Sequence, residues 1–196
     1  MTKKHKIKKF KRIDKGFTLV ETLVAVSIFT ISILGLLVVL SQGISNTNYA
    51  KTKIIASYLA QEGVEYIRNM RDTYVLYDLA DSQTGWNTFN ARLLSVSCQA
   101  SNGCYFDDQG LDFTDPDQPM TGITVAICGG SCPELKYDST TGKYGYASGA
   151  NSGYTRKIKI TQVSADEMKV FSTVFWKQGS GNYNMIFSES LFNWIE

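Results

Sequence analysis

Residues 17–40 read FTLVETLVAVSIFTISILGLLVVL, and this stretch decides how the rest of the chain is organised. Among its 24 residues only Glu21 is ionisable. At about 1.5 Å per residue a helix of this length reaches about 36 Å, enough for the hydrocarbon core of a bilayer, about 30 Å thick. A carboxylate at the centre of such a helix costs about 2.5–3.5 kcal/mol, and less near an edge. Glu21 therefore needs a partner or a place at the membrane face.

The residues before this run, MTKKHKIKKFKRIDKG (1–16), hold eight Lys/Arg and one Asp, a net of +7. Residues 17–196 carry a net of −5, so the overall charge of +2 is the sum of two unlike regions. The basic stretch has no apolar face and would repel itself as a folded element. It reads either as a nucleic-acid-binding arm or as a flank held in the cytoplasm by the positive-inside rule. The apolar run that follows favours the second reading, with the remainder of the chain outside. No direct nucleic-acid site is predicted. An ordinary secretory signal has a shorter apolar core and a small-residue cleavage site after it.

The order of a Lys-rich leader, then Gly16-Phe17-Thr18-Leu19-Val20-Glu21, then the apolar run resembles the class III signal of type IV prepilins and type II secretion pseudopilins. The resemblance is close over about the first 45 residues. It implies a leader, 1–16, cut by a membrane aspartic peptidase between Gly16 and Phe17. Phe17 would become the N-methylated terminus, and 17–40 would be a transmembrane and filament-core segment. Glu21 lies four residues on, one helical turn away on the same face. It is placed to neutralise the new amine of its own or of a neighbouring subunit. Glu21 is then an assembly register and not a catalyst.

Beyond residue 40 the chain turns amphipathic and has no proline before Pro116. Ile54, Tyr58, Ile67 and Tyr74, with Val64 and Met70, form a stripe at three- and four-residue steps. The expectation is one helix from about 17 to 71–74, of which 41–74 is the amphipathic part, about 80 Å long in all. Gly35, Gly43 and Gly63 read as its soft points. The segment LAQEGVEYIRNMRD (59–72) resembles the distal helix of PilV-type minor pilins, and Glu65 with Arg68 fits an i,i+3 pair.

Residues 75–196 read as an extracytoplasmic head. Within 75–122, a long connection, Trp86, Phe89, Leu93 and Leu94 suggest a short helix at 84–94, and Asn102-Gly103 marks a turn. Asp107, Asp108, Asp112, Asp115 and Asp117 crowd one loop. An exposed acidic loop is the plain reading and calcium the alternative, although the spacing is not that of an EF-hand. No other cofactor or metal is expected. The second half suggests antiparallel strands at 123–128 (ITVAIC), 156–163 (RKIKITQV), 168–176 (MKVFSTVFW) and 183–187 (YNMIF). Residues 137–153 read as a surface loop or a poorly paired hairpin, with Tyr137, Tyr144, Tyr146 and Tyr154 available as contact surface. Leu191, Phe192, Trp194 and Ile195 read as an apolar tail docking on the head. A sheet with one apolar face needs a cover, and the distal half of the long helix supplies it. The fold class is α+β, type IV pilin-like, with a long N-terminal helix packed on a C-terminal antiparallel sheet.

Cys98, Cys104, Cys128 and Cys132 all follow the apolar segment, in an oxidising compartment if the head is outside. Disulfides between near neighbours are the first expectation, although four cysteines allow three connectivities. A four-thiolate zinc site is the alternative, with loose C-x5-C and C-x3-C spacings. The one histidine, His5, leaves no basis for a histidine metal site or a Ser-His-Asp triad. No phosphate-cradling loop or nucleophile elbow has supporting context, and enzymatic activity is not expected.

Together these readings give a structural subunit of a type IV pilus or pilus-like filament, closer to a minor pilin than to the main subunit. Its expected partners are other pilin subunits, a prepilin peptidase and N-methyltransferase, the inner-membrane assembly platform and, before assembly, the lipid bilayer. The alternatives are a pseudopilin of a type II secretion or DNA-uptake system, and a single-span surface binding protein that does not polymerise.

Overall fold

The computed structural model describes residues 16–77, 82–107 and 124–193. The leader residues 1–15, Asp108, Asp112, Asp115 and Asp117 of the calcium reading, and Trp194 and Ile195 lie outside the described residues. The chain divides into two units, Met1–Asn48 and Tyr49–Glu196. Helix α1, Leu19–Tyr77, continues from one into the other.

In the first unit the helix is lined by leucine, valine and isoleucine, and its side chains are exposed throughout. In the second unit α1 has a buried face made of Ala56, Leu59, Ala60, Val64, Ile67, Met70 and Tyr74. This corrects the expected stripe. Ile54 and Tyr58 are 55% and 68% exposed. Each lies two residues, about 200° of helix rotation, from Ala56 and Ala60. The small residues at 56, 60 and 63 let the helix backbone approach the sheet, so bulk at those positions would oppose packing.

Gly63 is likewise no soft point. A Cβ there would lie 2.3 Å from Ser172 Oγ, 3.0 Å from Ile158 Cδ1 and 3.1 Å from Arg156 Cδ. Gly35 and Gly43, by contrast, face open space.

Helix α2, Ser82–Ser95, buries Trp86, Phe89 and Leu93. Its Gly85 meets α1 so closely that a Cβ would lie 2.3 Å from the Tyr74 carbonyl oxygen. Trp86 Nε1 donates to the Ala165 carbonyl at 2.8 Å.

Among the described residues seven strands form one antiparallel sheet: β1 (Cys104–Asp107), β2 (Thr124–Ile127), β3 (Glu134–Asp138), β4 (Lys143–Gly145), β5 (Ala150–Gln162), β6 (Glu167–Gln178) and β7 (Gly181–Phe192). β5 is the hub. One side pairs with β6, from Tyr154↔Trp176 to Gln162↔Met168. Its other side pairs with β3 near the start and with β1 at Cys104↔Ile158. β7 pairs with β6 along its whole length.

Two strand boundaries and one surface expectation are corrected. β5 begins at Ala150, inside the expected loop, because Ala150 and Asn151 pair with Tyr137 and Lys136. β7 runs to Phe192, so Leu191 and Phe192 belong to a strand and not to a docking tail. The expected tyrosine surface is largely internal. Tyr154 is buried, and Tyr144 and Tyr146 pack against the cluster of Ala56, Leu59, Ala60, Leu135, Val174 and Trp176. Tyr137, 40% exposed, remains outside.

A larger cluster joins Ile67, Met70 and Tyr74 of α1 and the apolar face of α2 to Phe106, Ile158, Ile160, Met168, Val170 and Leu191. Arg156 sits between the two clusters, in the inward phase of β5 with Ile158 and Ile160. Its guanidinium donates to Glu62 Oε2 at 2.6 Å and to the Leu59 carbonyl at 3.3 Å, and lies 5.0 Å from the Phe106 ring centroid. Arg68 bridges Glu65, at 2.5 Å, and Glu189 of β7. These carboxylates, Glu189 foremost, raise the Arg68 pKa above its ordinary value.

Candidate functional site

The segment around Gly16 is built from the first turn of α1. Residues 16–18 are irregular and the helix starts at Leu19. Thr18 is the N-cap. Its carbonyl accepts from the Glu21 and Thr22 amides at 3.1 and 3.2 Å, and its Oγ1 accepts from the Glu21 amide at 3.3 Å. Thr18 and Glu21 have the T-x-x-E spacing of a capping box. A carboxylate in the first helical turn also meets the positive end of the aligned backbone dipoles. Glu21 thus has a local electrostatic reason for its position besides any partner from another chain. Sequence reasoning missed the cap, although Thr18 three residues before Glu21 was the signal for it.

Nothing in the described chain crowds Gly16: a Cβ added there meets no atom within 4 Å. The fold therefore does not require glycine at this position. Phe17 is 80% exposed.

The hydroxyls of the apolar run are satisfied locally. Thr22 donates to the Leu19 carbonyl at 2.9 Å, Ser27 to Leu23 at 2.8 Å, Thr30 to Ser27 at 2.9 Å and Ser32 to Ile28 at 2.8 Å. A polar group in hydrocarbon without a hydrogen bond is costly, and these back-bonds remove that cost. The helix contains a window long and apolar enough to cross a membrane, none of it buried within the chain.

The cysteines form two short-range disulfides, Cys98–Cys104 and Cys128–Cys132. Of the aspartates in the calcium reading only Asp107 is described, in the last position of β1. Among the described residues no group of three or more His, Cys, Asp or Glu is arranged to hold a metal ion.

Residues 11–37 match a family model described as the prokaryotic N-terminal methylation motif. No curated protein and no solved structure matches the chain. The matched segment contains Gly16, Phe17, Glu21 and most of the apolar run. A class III signal followed by an exposed apolar helix supports single-pass anchoring, and the head adds the long helix and antiparallel sheet of a pilin-like fold. Residues 11–37 thus carry the methylation signal of type IV pilins, and the chain has a pilin-like α+β fold; both are consistent with the pilin and pseudopilin family.

Proposed function

We propose that this protein is a non-enzymatic structural subunit of a type IV pilus or pilus-like filament. It is made as a prepilin with its N-terminus in the cytoplasm and cut between Gly16 and Phe17. It is then methylated on Phe17 and polymerised through the helix that begins at Leu19. The observation that carries this reading is one carboxylate, Glu21, at the capped start of an otherwise un-ionisable run inside the matched methylation motif.

In the assembled bundle Glu21 neutralises the amine of a neighbouring Phe17, where little water competes. Loss of the leader takes away a net charge of +7 and leaves a net of −5 on residues 17–196, so the mature subunit is acidic. The prepilin peptidase, the assembly platform and other pilin subunits are its partners. The 59–72 helix sequence supports a minor subunit over the main one.

Intact mass of the membrane-extracted protein should give a chain starting at methylated Phe17; a retained leader overturns the reading. Gly16→Val should fold normally, since its side chain meets open space. The variant should stay uncut, because the need for glycine then lies with the peptidase. Processing of this variant at the normal rate counts against it. Glu21→Ala should leave the head folded and deplete the subunit from sheared filaments.

A further inference from the structure

The outward face of the sheet carries a cavity that filament assembly through α1 does not use. It is half open to solvent, has a volume of about 380 Å³ and is lined by Ser101, Asn102, Ser131, Thr155, Lys157 and Phe175. Its floor is the sheet: Thr155 and Phe175 are register partners on β5 and β6, and Lys157 is the next outward residue on β5. Its rim is made by the two disulfide-closed loops. Ser101 and Asn102 come from the Cys98–Cys104 loop, and Ser131 from the Cys128–Cys132 loop.

Several contacts fix this rim. The Cys132 sulfur lies 3.9 Å from the Asn102 carbonyl oxygen and 4.0 Å from that of Cys104, so the two loops touch. The Cys128 amide donates to the Gly103 carbonyl at 3.0 Å, and the Ile160 amide to the Cys98 carbonyl at 3.2 Å. Gly103, at φ 68°, lies so close to β5 that a Cβ would meet the Ile158 carbonyl oxygen at 2.5 Å and Lys157 Cγ at 2.7 Å. The loop therefore holds the stem of Lys157. The ammonium lies 5.5 Å from the Phe175 ring centroid, and among the described residues no carboxylate forms an ion pair with it.

We propose that this cavity binds an acidic sugar residue of an extracellular polysaccharide. Its size suits a small ligand. Hydroxyl and amide groups on three sides match a polyhydroxylated ring. The half-exposed face of Phe175 offers a platform for the ring's C–H face, and Lys157 supplies one charge-assisted hydrogen bond to a carboxylate. Lys159 and Lys169 lie in the same outward phase of β5 and β6 but outside the cavity, so Lys157 is the one cation that lines it. A nucleic acid, with one phosphate per nucleotide, would call for several cations at the contact, whereas the cavity holds one. The proposal does not depend on polymerisation.

The test uses the full chain in detergent micelles and ligand-detected NMR with three probes: trigalacturonate, neutral maltotriose and a short oligothymidylate. Trigalacturonate should bind and maltotriose should not. Lys157→Gln and Phe175→Leu should each weaken trigalacturonate about tenfold. Lys159→Gln, on the same face but outside the cavity, should change it less than about twofold. Both disulfides and an unchanged circular dichroism spectrum certify that each variant is folded. Absence of trigalacturonate binding overturns the proposal, as does equal binding of maltotriose. Equal losses from Lys157→Gln and Lys159→Gln would mean diffuse attraction in place of a site. Preference for oligothymidylate would assign the face to nucleic acid.

Discussion

Gly63 of α1 faces Ser172 of β6, with no room between them for a side chain on the helix. The serine hydroxyl is buried with no hydrogen-bond partner among the described residues, and it occupies the space a helix side chain would need. Alanine at 63 gains up to about 1 kcal/mol in helix propensity. It must also displace Ser172, Ile158 or Arg156, and overpacking of this kind costs about 1–3 kcal/mol. Gly63→Ala should therefore lower stability in urea, and adding Ser172→Ala should restore part of the loss. A Gly63→Ala protein as stable as the parent would show that the helix can lift off the sheet without cost. The glycine was visible in the sequence, but its role was not. A glycine in a helix reads as a weak point until the opposing strand is in place. Glu21 was the reverse case, since an isolated carboxylate in an apolar run stands out without any structure.

Among the elements, β5 carries the organising residue of the head. Arg156 occupies a position where period-two alternation puts apolar side chains, and it is 3% exposed. The ion pair with Glu62 keeps one end near water, because the carboxylate side chain is 39% exposed. Arg156→Met should cost about 2–4 kcal/mol by leaving Glu62 without its guanidinium and taking from the Leu59 carbonyl its side-chain donor, although the chain volume is kept. Lysine should not restore the loss, since an ammonium is more strongly hydrated and lacks the planar group that lies against the Phe106 ring. Chemical denaturation of the three proteins decides it, and a Met variant within 0–1 kcal/mol, the range of an exposed pair, would make this a surface-grade pair.

The same strand shows what could be read in advance. Residues 156–163 alternate clearly and were legible. Residues 150–153, Ala-Asn-Ser-Gly, have no apolar rhythm and become strand through pairing with β3. Likewise Ser188, Glu189 and Ser190 extend β7 through its ladder with β6, which no local pattern announces. The short helix near Trp86 was legible from its aromatic and leucine spacing. The cover face of α1 was legible at Val64, Ile67, Met70 and Tyr74 but not at its start, where Ala56 and Ala60, too small to stand out beside Ile54 and Tyr58, make the close approach.

For the whole head, the buried tyrosines set an alkaline limit. Burial raises the phenols of Tyr144, Tyr146 and Tyr154 above their ordinary value, opposed at Tyr146 by the charge of Arg156. An unfolded tyrosine ionises near pH 10, roughly, while these stay protonated when folded. The folded state thus binds more protons above that pH, and stability falls as pH rises. The contribution is complete below about pH 10 and is lost as pH climbs through the raised folded values. Urea midpoints should fall on the alkaline side, and Tyr146→Phe should flatten that fall. An unchanged slope in the variant would remove Tyr146 from the account.

The contacts between α1 and the sheet also follow one direction. Tyr154 Oη donates to the Thr52 carbonyl at 3.1 Å, Arg156 reaches Leu59 and Glu62, and Ile158 and Ser172 meet Gly63. On β7, Tyr183 meets Tyr49, Glu189 meets Arg68, and the Phe192 carbonyl accepts from Arg71 at 3.2 Å. Numbering rises along the helix and along both strands, so the helix lies lengthwise on the sheet. A force drawn along α1 then loads these attachments together, in shear, and does not peel them apart one after another. The head is joined to its helix in the geometry best suited to bear tension.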